Sequence, residues 1–237
     1  MVRILFCIAA MSISIAATAV AWAAPLDIVP GSAFRSGEPA GRYVRYEARK
    51  AAPPTARLRL QVGASSGPAR AYLMRGFMNV FSLGMDDLAG EIQARGISAA
   101  VTNHADAEIV VNRIVADYAA GDRGPIVLIG HSLGADAVIA MAQALDRNDI
   151  PVALVILFDG TAPHAVPRKV ATAINFTEHF TLTPGAEFRG TISNVDLSGD
   201  GRVDHLTIDK SPALHAQALD YVLQAASATP TPSARGP

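Results

Sequence analysis

Residues 126–136 read Ile-Val-Leu-Ile-Gly-His-Ser-Leu-Gly-Ala-Asp, a four-residue apolar run that ends in Gly-x-Ser-x-Gly and opens into a helix-forming stretch. A buried strand, a sharp turn and a helix in that order make Ser132 a candidate nucleophile. A serine hydroxyl is a poor nucleophile at neutral pH, so it must be held exposed on a strained turn beside a base that can take its proton. Gly130 and Gly134 meet that need, because without Cβ atoms they let strand and helix approach closely around the turn.

Outward from this stretch, apolar runs alternate with amphipathic ones, the pattern of a parallel sheet with crossover helices. Residues 71–77 read as a strand, 86–94 as a helix with Asp86 and Asp87 near its start, and 97–102 as a strand after Gly96. Residues 107–120 place Ile109, Val110, Ile114 and Val115 at helical spacing before Gly121. The strand at 126–129 leads to a helix at 135–145, ended by Asn148 and Pro151, and 152–158 is a second fully apolar strand. The more polar run 169–180 reads as a strand nearer the sheet edge. Residues 211–226 close the fold as a helix, with Ser211 as N-cap, Pro212 in the first turn, and Leu214, Leu219, Tyr221 and Val222 toward the sheet. Ahead of all this, short edge strands are expected at 42–48 and 57–62, joined by Pro53-Pro54. The fold class is α/β, a mostly parallel β-sheet with helices on both faces.

The chain has 237 residues, half of them hydrophobic, enough for one substantial core. A formal charge of −1 and the lack of a Lys/Arg cluster exclude a nucleic-acid surface. Residues 1–23 begin Met-Val-Arg, continue as an uncharged stretch through Trp22 and end in Ala21-Trp22-Ala23, so they read as a cleaved secretory signal. The one cysteine, Cys7, lies inside it, and export without disulfides suits a periplasmic or secreted protein. Cleavage removes Arg3, leaves a charge of −2, and leaves no stable membrane span. The folded domain is then 24–227, followed by a disordered tail at 228–237 rich in Pro, Thr and Ser. Nothing in the sequence bears on oligomeric state.

The strand, elbow and helix, with an acid and a histidine later in the chain, resemble the α/β-hydrolase superfamily over roughly 69–226, and Gly-His-Ser-Leu-Gly is similar to the elbow of its lipase and thioesterase branches. The resemblance implies a triad in the order Ser, acid, His at the carboxyl ends of strands. Asp159, directly after the apolar run 152–158, is the first choice for acid; Glu178 is the rival, and an Asp-Gly turn without catalysis is the plain alternative. His205, between the last strand region and the terminal helix, is the choice for base. His131 occupies the variable elbow position and points elsewhere, His104 and His164 are candidate pocket residues, His179 sits in a strand, and His215 has a solvated or packing role. The oxyanion hole implied by the family takes one donor from the backbone of Leu133 and one from Phe77, with Met78 as alternate. There Arg75 stands where the family has histidine. Phe77, Met78, Phe81, Leu83 and Met85 are either an apolar acyl-binding wall or ordinary core.

Residues 196–204 match the first nine positions of a calcium loop, but Thr207 stands at the twelfth, where the bidentate carboxylate belongs, which favours a plain Asp/Gly turn delivering His205. No insertion long enough for a helical cap separates Asp159 from Lys169. What the resemblance implies is an exported serine hydrolase of carboxylic esters, acting on a small-molecule or lipid ester without metal or organic cofactor. Acyl thioesters are the alternative substrate, and a noncatalytic protein holding a lipid or envelope ligand is the alternative from another class.

Overall fold

The computed structural model describes residues 42–45, 67–77 and 82–228, all within the compact unit Pro39–Pro237. In chain order the elements are β1 (Arg42–Arg45), β2 (Arg70–Arg75), α1 (Gly84–Gln93), β3 (Ser98–Asn103), α2 (Ala107–Ala119), β4 (Ile126–His131), α3 (Leu133–Arg147), β5 (Val152–Phe158), β6 (His164–Val166), β7 (Val170–Thr177), β8 (Leu182–Pro184), β9 (Thr191–Asp196) and α4 (Pro212–Ser227). Among the described residues the main sheet has seven strands in the order β1-β9-β7-β5-β4-β2-β3, with β6 and β8 paired separately. Every pairing in the main sheet is parallel. Strands β4 and β5 lie in the middle, which explains why each reads as an unbroken apolar run: both of their faces are covered.

Register sorts the side chains into two layers. Leu73, Ile129, Ile156 and Ile174 stand opposite one another across β2, β4, β5 and β7. They pack under Met85, Leu88 and Ile92 of α1 and Leu214, Leu219 and Val222 of α4. One residue earlier, Leu128, Val155 and Ala173 face the other way, toward Val110 and Ile114 of α2 and Val138, Ile139 and Leu145 of α3. Each fully buried aliphatic chain is worth about 1.5–3 kcal/mol relative to exposure. Helices on both faces are therefore what this residue pattern requires. No helix among the described residues is long and apolar enough to cross a membrane.

Four points refine the reading of the sequence. The polar run at 169–180 forms β7, one strand nearer the edge than β5 as expected, yet it lies between β5 and β9 and is buried along almost its whole length. Its polar side chains are paired instead of solvated, Asn175 donating to the Phe180 carbonyl (2.8 Å) and to Asn194 Oδ1 (3.0 Å). Strand β9, with Ser193 and Asn194 interrupting its apolar residues, escaped the sequence reading altogether. Ser211 is the N-cap residue of α4 and Pro212 occupies the first turn, as expected, but the Ser211 side chain makes no capping hydrogen bond. Finally, of the residues read as either an acyl-binding wall or core, Met85 is fully buried core, whereas Phe77 and Leu83 are exposed.

The edge strand expected at 42–48 is represented by β1, parallel to β9. The signal segment 1–23, the strand at 57–62, Met78, Phe81 and the tail beyond 228 lie outside the described residues.

Candidate active site

Strand register brings the polar residues together. His131 pairs with Phe158, and Phe158 with Phe176, so the next residues stand side by side at one rim: Ser132 and Asp159 leave the sheet there and Thr177 ends β7. The parallel pattern carries on past the strand ends, with Ser132 N–H donating to the Phe158 carbonyl (3.0 Å) and Asp159 N–H to the Phe176 carbonyl (2.8 Å).

At Ser132 the chain reverses from β4 into α3 through a backbone with φ +57° and ψ −127°, a region non-glycine residues rarely occupy. The flanking glycines make it attainable. A Cβ on Gly130 would lie 2.3 Å from the Gly134 carbonyl oxygen, and one on Gly134 would lie 2.1 Å from that of Met74. Ser132 is left partly exposed over the start of α3, where the first N–H groups, Leu133 among them, lack partners within the helix.

Across the rim, His205 Nε2 lies 3.0 Å from Ser132 Oγ and His205 Nδ1 lies 2.8 Å from Asp159 Oδ2. The segment after β9 presents this histidine on a turn organised by Asp204, whose Oδ1 accepts from the Leu206 N–H and the Thr207 hydroxyl, both at 2.9 Å. Asp159 is fully buried and also has positive φ, +46°. Four donors converge on its carboxylate: Thr177 Oγ1 (3.2 Å) and Glu178 N–H (2.9 Å) on Oδ1, His205 Nδ1 and His179 Nδ1 (2.9 Å) on Oδ2. Burial pushes the acid's pKa up, but hydrogen bonds from His205, the Glu178 backbone and His179 outweigh it and hold the group at about 2. The same hydrogen bond raises the His205 pKa above its ordinary value. A carboxylate ionised at all moderate pH thus fixes His205 with its proton on Nδ1 and its lone pair toward Ser132.

Glu178 is the weaker acid candidate on geometry. It sits one residue past β7 and reaches Asp159 through its backbone. Burial and then the charge of Asp159 raise its carboxyl pKa.

His131 does not simply point elsewhere. Buried behind the elbow, its Nε2 lies 2.8 Å from the His205 carbonyl and its Nδ1 2.8 Å from Ser82 Oγ. A carbonyl can only accept, so Nε2 carries the proton and Nδ1 accepts from the Ser82 hydroxyl, which in turn accepts from the Gly76 N–H (2.9 Å). Burial lowers the His131 pKa, in keeping with this neutral ring. The chain Gly76, Ser82, His131, His205 ties the candidate oxyanion loop to the loop of the candidate base. Neither Ser82 nor this role for His131 could be read from sequence.

A Cβ on Gly76 would meet the Ser132 Cβ at 2.9 Å, so the loop preceding Phe77 abuts the elbow. His104 Nδ1 holds that loop through the Gly76 carbonyl (3.2 Å). Arg75, in the position where histidine was expected, instead grips Asp86 of α1 with Nε and Nη2. His164 bonds Asp136 (2.7 Å), and His215 is buried against the Asp209 carbonyl (2.6 Å), a packing role. His179, expected inside a strand, lies two residues beyond β7. In the 196–207 loop the carboxylates serve the turn itself: Asp196 accepts from the Ser198 N–H and Asp200 from Arg202. Among the described residues, the one cluster of three groups suited to hold a metal ion is Asp159, His179 and His205. The calcium-like loop is not such a cluster.

A thioesterase-domain family model matches residues 100–210, the segment holding Ser132, Asp159 and His205. Among curated proteins no sequence matches. Solved structures similar to the chain include a cutinase-like protein from Cryptococcus sp. (14% identity, 70% of this chain and 100% of that one, TM-score 0.47). Others are the RedJ thioesterase of the prodiginine pathway in Streptomyces coelicolor (10%, 68% and 91%, 0.41) and YbtT, a type II thioesterase from the yersiniabactin pathway (13%, 70% and 98%, 0.42). The parallel sheet, with a strand that ends in the Gly-x-Ser-x-Gly elbow, gives this chain a fold of α/β-hydrolase type, and the thioesterase model matched across the segment that carries acid and histidine supports an enzyme that cleaves ester or thioester bonds.

Proposed function

We propose that the chain is a serine acyl hydrolase in which Ser132 attacks the acyl carbonyl, His205 takes the hydroxyl proton and Asp159 holds the imidazole and stabilises its cation. The observation that carries this reading is the relay itself: 3.0 Å from serine to imidazole and 2.8 Å from imidazole to a buried carboxylate. The tetrahedral oxyanion is received by the N–H groups of Leu133 and Phe77, and its collapse expels the alcohol or thiol, protonated by His205. Water, deprotonated by the same imidazole, then releases the acid from Ser132.

Thioesters are the substrate class we favour, on the family match across the candidate triad. Carboxylic esters are the second reading, favoured by the export signal expected at 1–23, since carrier-bound thioesters belong to the cytosol. Export itself is part of the proposal and is checked by N-terminal sequencing of the secreted chain for cleavage after Ala23.

A fluorophosphonate probe tests the nucleophile. Covalent labelling of the native protein, abolished in Ser132→Ala while the fold persists by circular dichroism, is expected; a folded protein that resists the probe points to the noncatalytic ligand-binding alternative. Relative kcat/KM on matched acyl thioesters and p-nitrophenyl esters of increasing chain length then decides between the two substrate classes.

A further inference from the structure

His179 has no part in the relay, yet it shares an oxygen with it. Its Nδ1 lies 2.9 Å from Asp159 Oδ2, the atom that also accepts from His205 Nδ1 at 2.8 Å. Two imidazole nitrogens and a carboxylate oxygen, all within 4.8 Å of one another, therefore converge on one point. The His179 backbone is held there, because Thr177 Oγ1 accepts from the N–H groups of His179 and Phe180, both at 3.0 Å. Its ring remains 56% exposed, so the point is reached from solvent.

Two imidazoles and one carboxylate form a donor set that zinc takes in open, three-ligand sites. Bond lengths of about 2.0–2.1 Å in a tetrahedron put neighbouring ligand atoms about 3.4 Å apart. The two nitrogen–oxygen contacts, 2.8 and 2.9 Å, need to spread by about half an ångström to admit the ion, the two nitrogens already lie within 4.8 Å of each other, and the exposed His179 side chain has room on its outer side to adjust. The oxygen is ionised, and the exposed His179 side chain lets an ion in from solvent.

We propose that His179, His205 and Asp159 form an inhibitory site for a zinc-type divalent ion. When the ion binds the Nδ1 atoms of His205 and His179, the proton displaced from each moves through solvent to Nε2 of the same ring, so both rings stay neutral and their composition is unchanged. His205 Nε2 then donates toward Ser132 and no longer accepts. The candidate base is switched off without disturbing the nucleophile. Binding of the ion stands on geometry alone; its inhibitory effect rests on the triad reading above.

Cobalt(II) separates the two. Titrated into the native protein and into Ser132→Ala, it is expected to give the intense visible absorption of a tetrahedral ion, displaced by zinc; in His179→Ala the affinity is expected to fall by on the order of 100-fold, at least what loss of a supporting residue costs. No band with the native protein, or a band of undiminished affinity in His179→Ala, overturns the site. In parallel, the ratio of metal-free to zinc-treated hydrolysis is expected to be large for the native enzyme, reversed by chelator, and near one for His179→Ala. Cobalt binding without loss of activity overturns the switch; absence of any hydrolysis or probe labelling counts against the triad reading and leaves the cobalt result to decide the site.

Discussion

Asp159 and Glu178 are nineteen positions apart and touch, but they touch differently. Asp159 offers its carboxylate to His205, whereas Glu178 offers Asp159 only a backbone N–H, which no side-chain change removes. Asp159→Asn is therefore expected to lower kcat by on the order of 10³–10⁴-fold, because an amide can present the wrong tautomer to the imidazole. Glu178→Gln is expected to stay within a few-fold of native activity. Steady-state kinetics on a single ester check both, and the opposite ranking would make Glu178 the acid. Asp159 was legible in the sequence because it terminates an unmistakable apolar run. His179 was not, since it meets the acid only through the register of β5 with β7 and a turn fixed by Thr177.

The elbow element is legible for a different reason: its two glycines are demanded by backbone contacts. Gly134→Ala drives a methyl group toward the Met74 carbonyl, and neither α3 nor β2 can yield cheaply. Overpacking of this kind costs about 1–3 kcal/mol, and we expect Gly134→Ala to lower the Tm by several degrees in calorimetry, with loss of probe labelling at Ser132 as the turn shifts. An unchanged Tm would mean that strand and helix are less tightly apposed than these distances imply. Strand β9 was missed because its polar residues break the apolar pattern, and the polarity of β7 hides how deeply it is buried. In fact their asparagines satisfy one another and the neighbouring chain: Asn194 accepts from the Leu182 N–H (2.8 Å) and donates to its carbonyl (3.0 Å). Such pairing depends on a partner strand that no local pattern announces.

For the molecule as a whole, the relay fixes a pH dependence. The hydrogen bond that His205 donates to Asp159 raises the His205 pKa, and an imidazolium cannot accept a proton. Activity is therefore expected to rise with pH, its acid limb centred above the ordinary imidazole value of about 6.5, in kcat/KM for an uncharged ester. In Asp159→Asn whatever activity survives should show that limb at lower pH. A limb at or below 6.5 in the native enzyme would contradict the coupling. Stability follows the same contact from both ends: the depressed Asp159 contributes above the ordinary carboxylate range and loses that contribution as pH falls toward about 2, while the raised His205 contributes at low pH and loses it as pH climbs through its folded value. The layered α/β architecture was legible from alternating apolar and amphipathic segments. The convergence of three widely separated polar residues at one rim was legible only in outline, because it depends on strand order.

The buried imidazole of His131 holds the carbonyl of one histidine with one nitrogen and the hydroxyl of Ser82 with the other. Consequently the two walls of the cleft are not independent parts: slackening of either would be transmitted through a single ring to its opposite, so that the cleft keeps its shape, or gives way, as a unit.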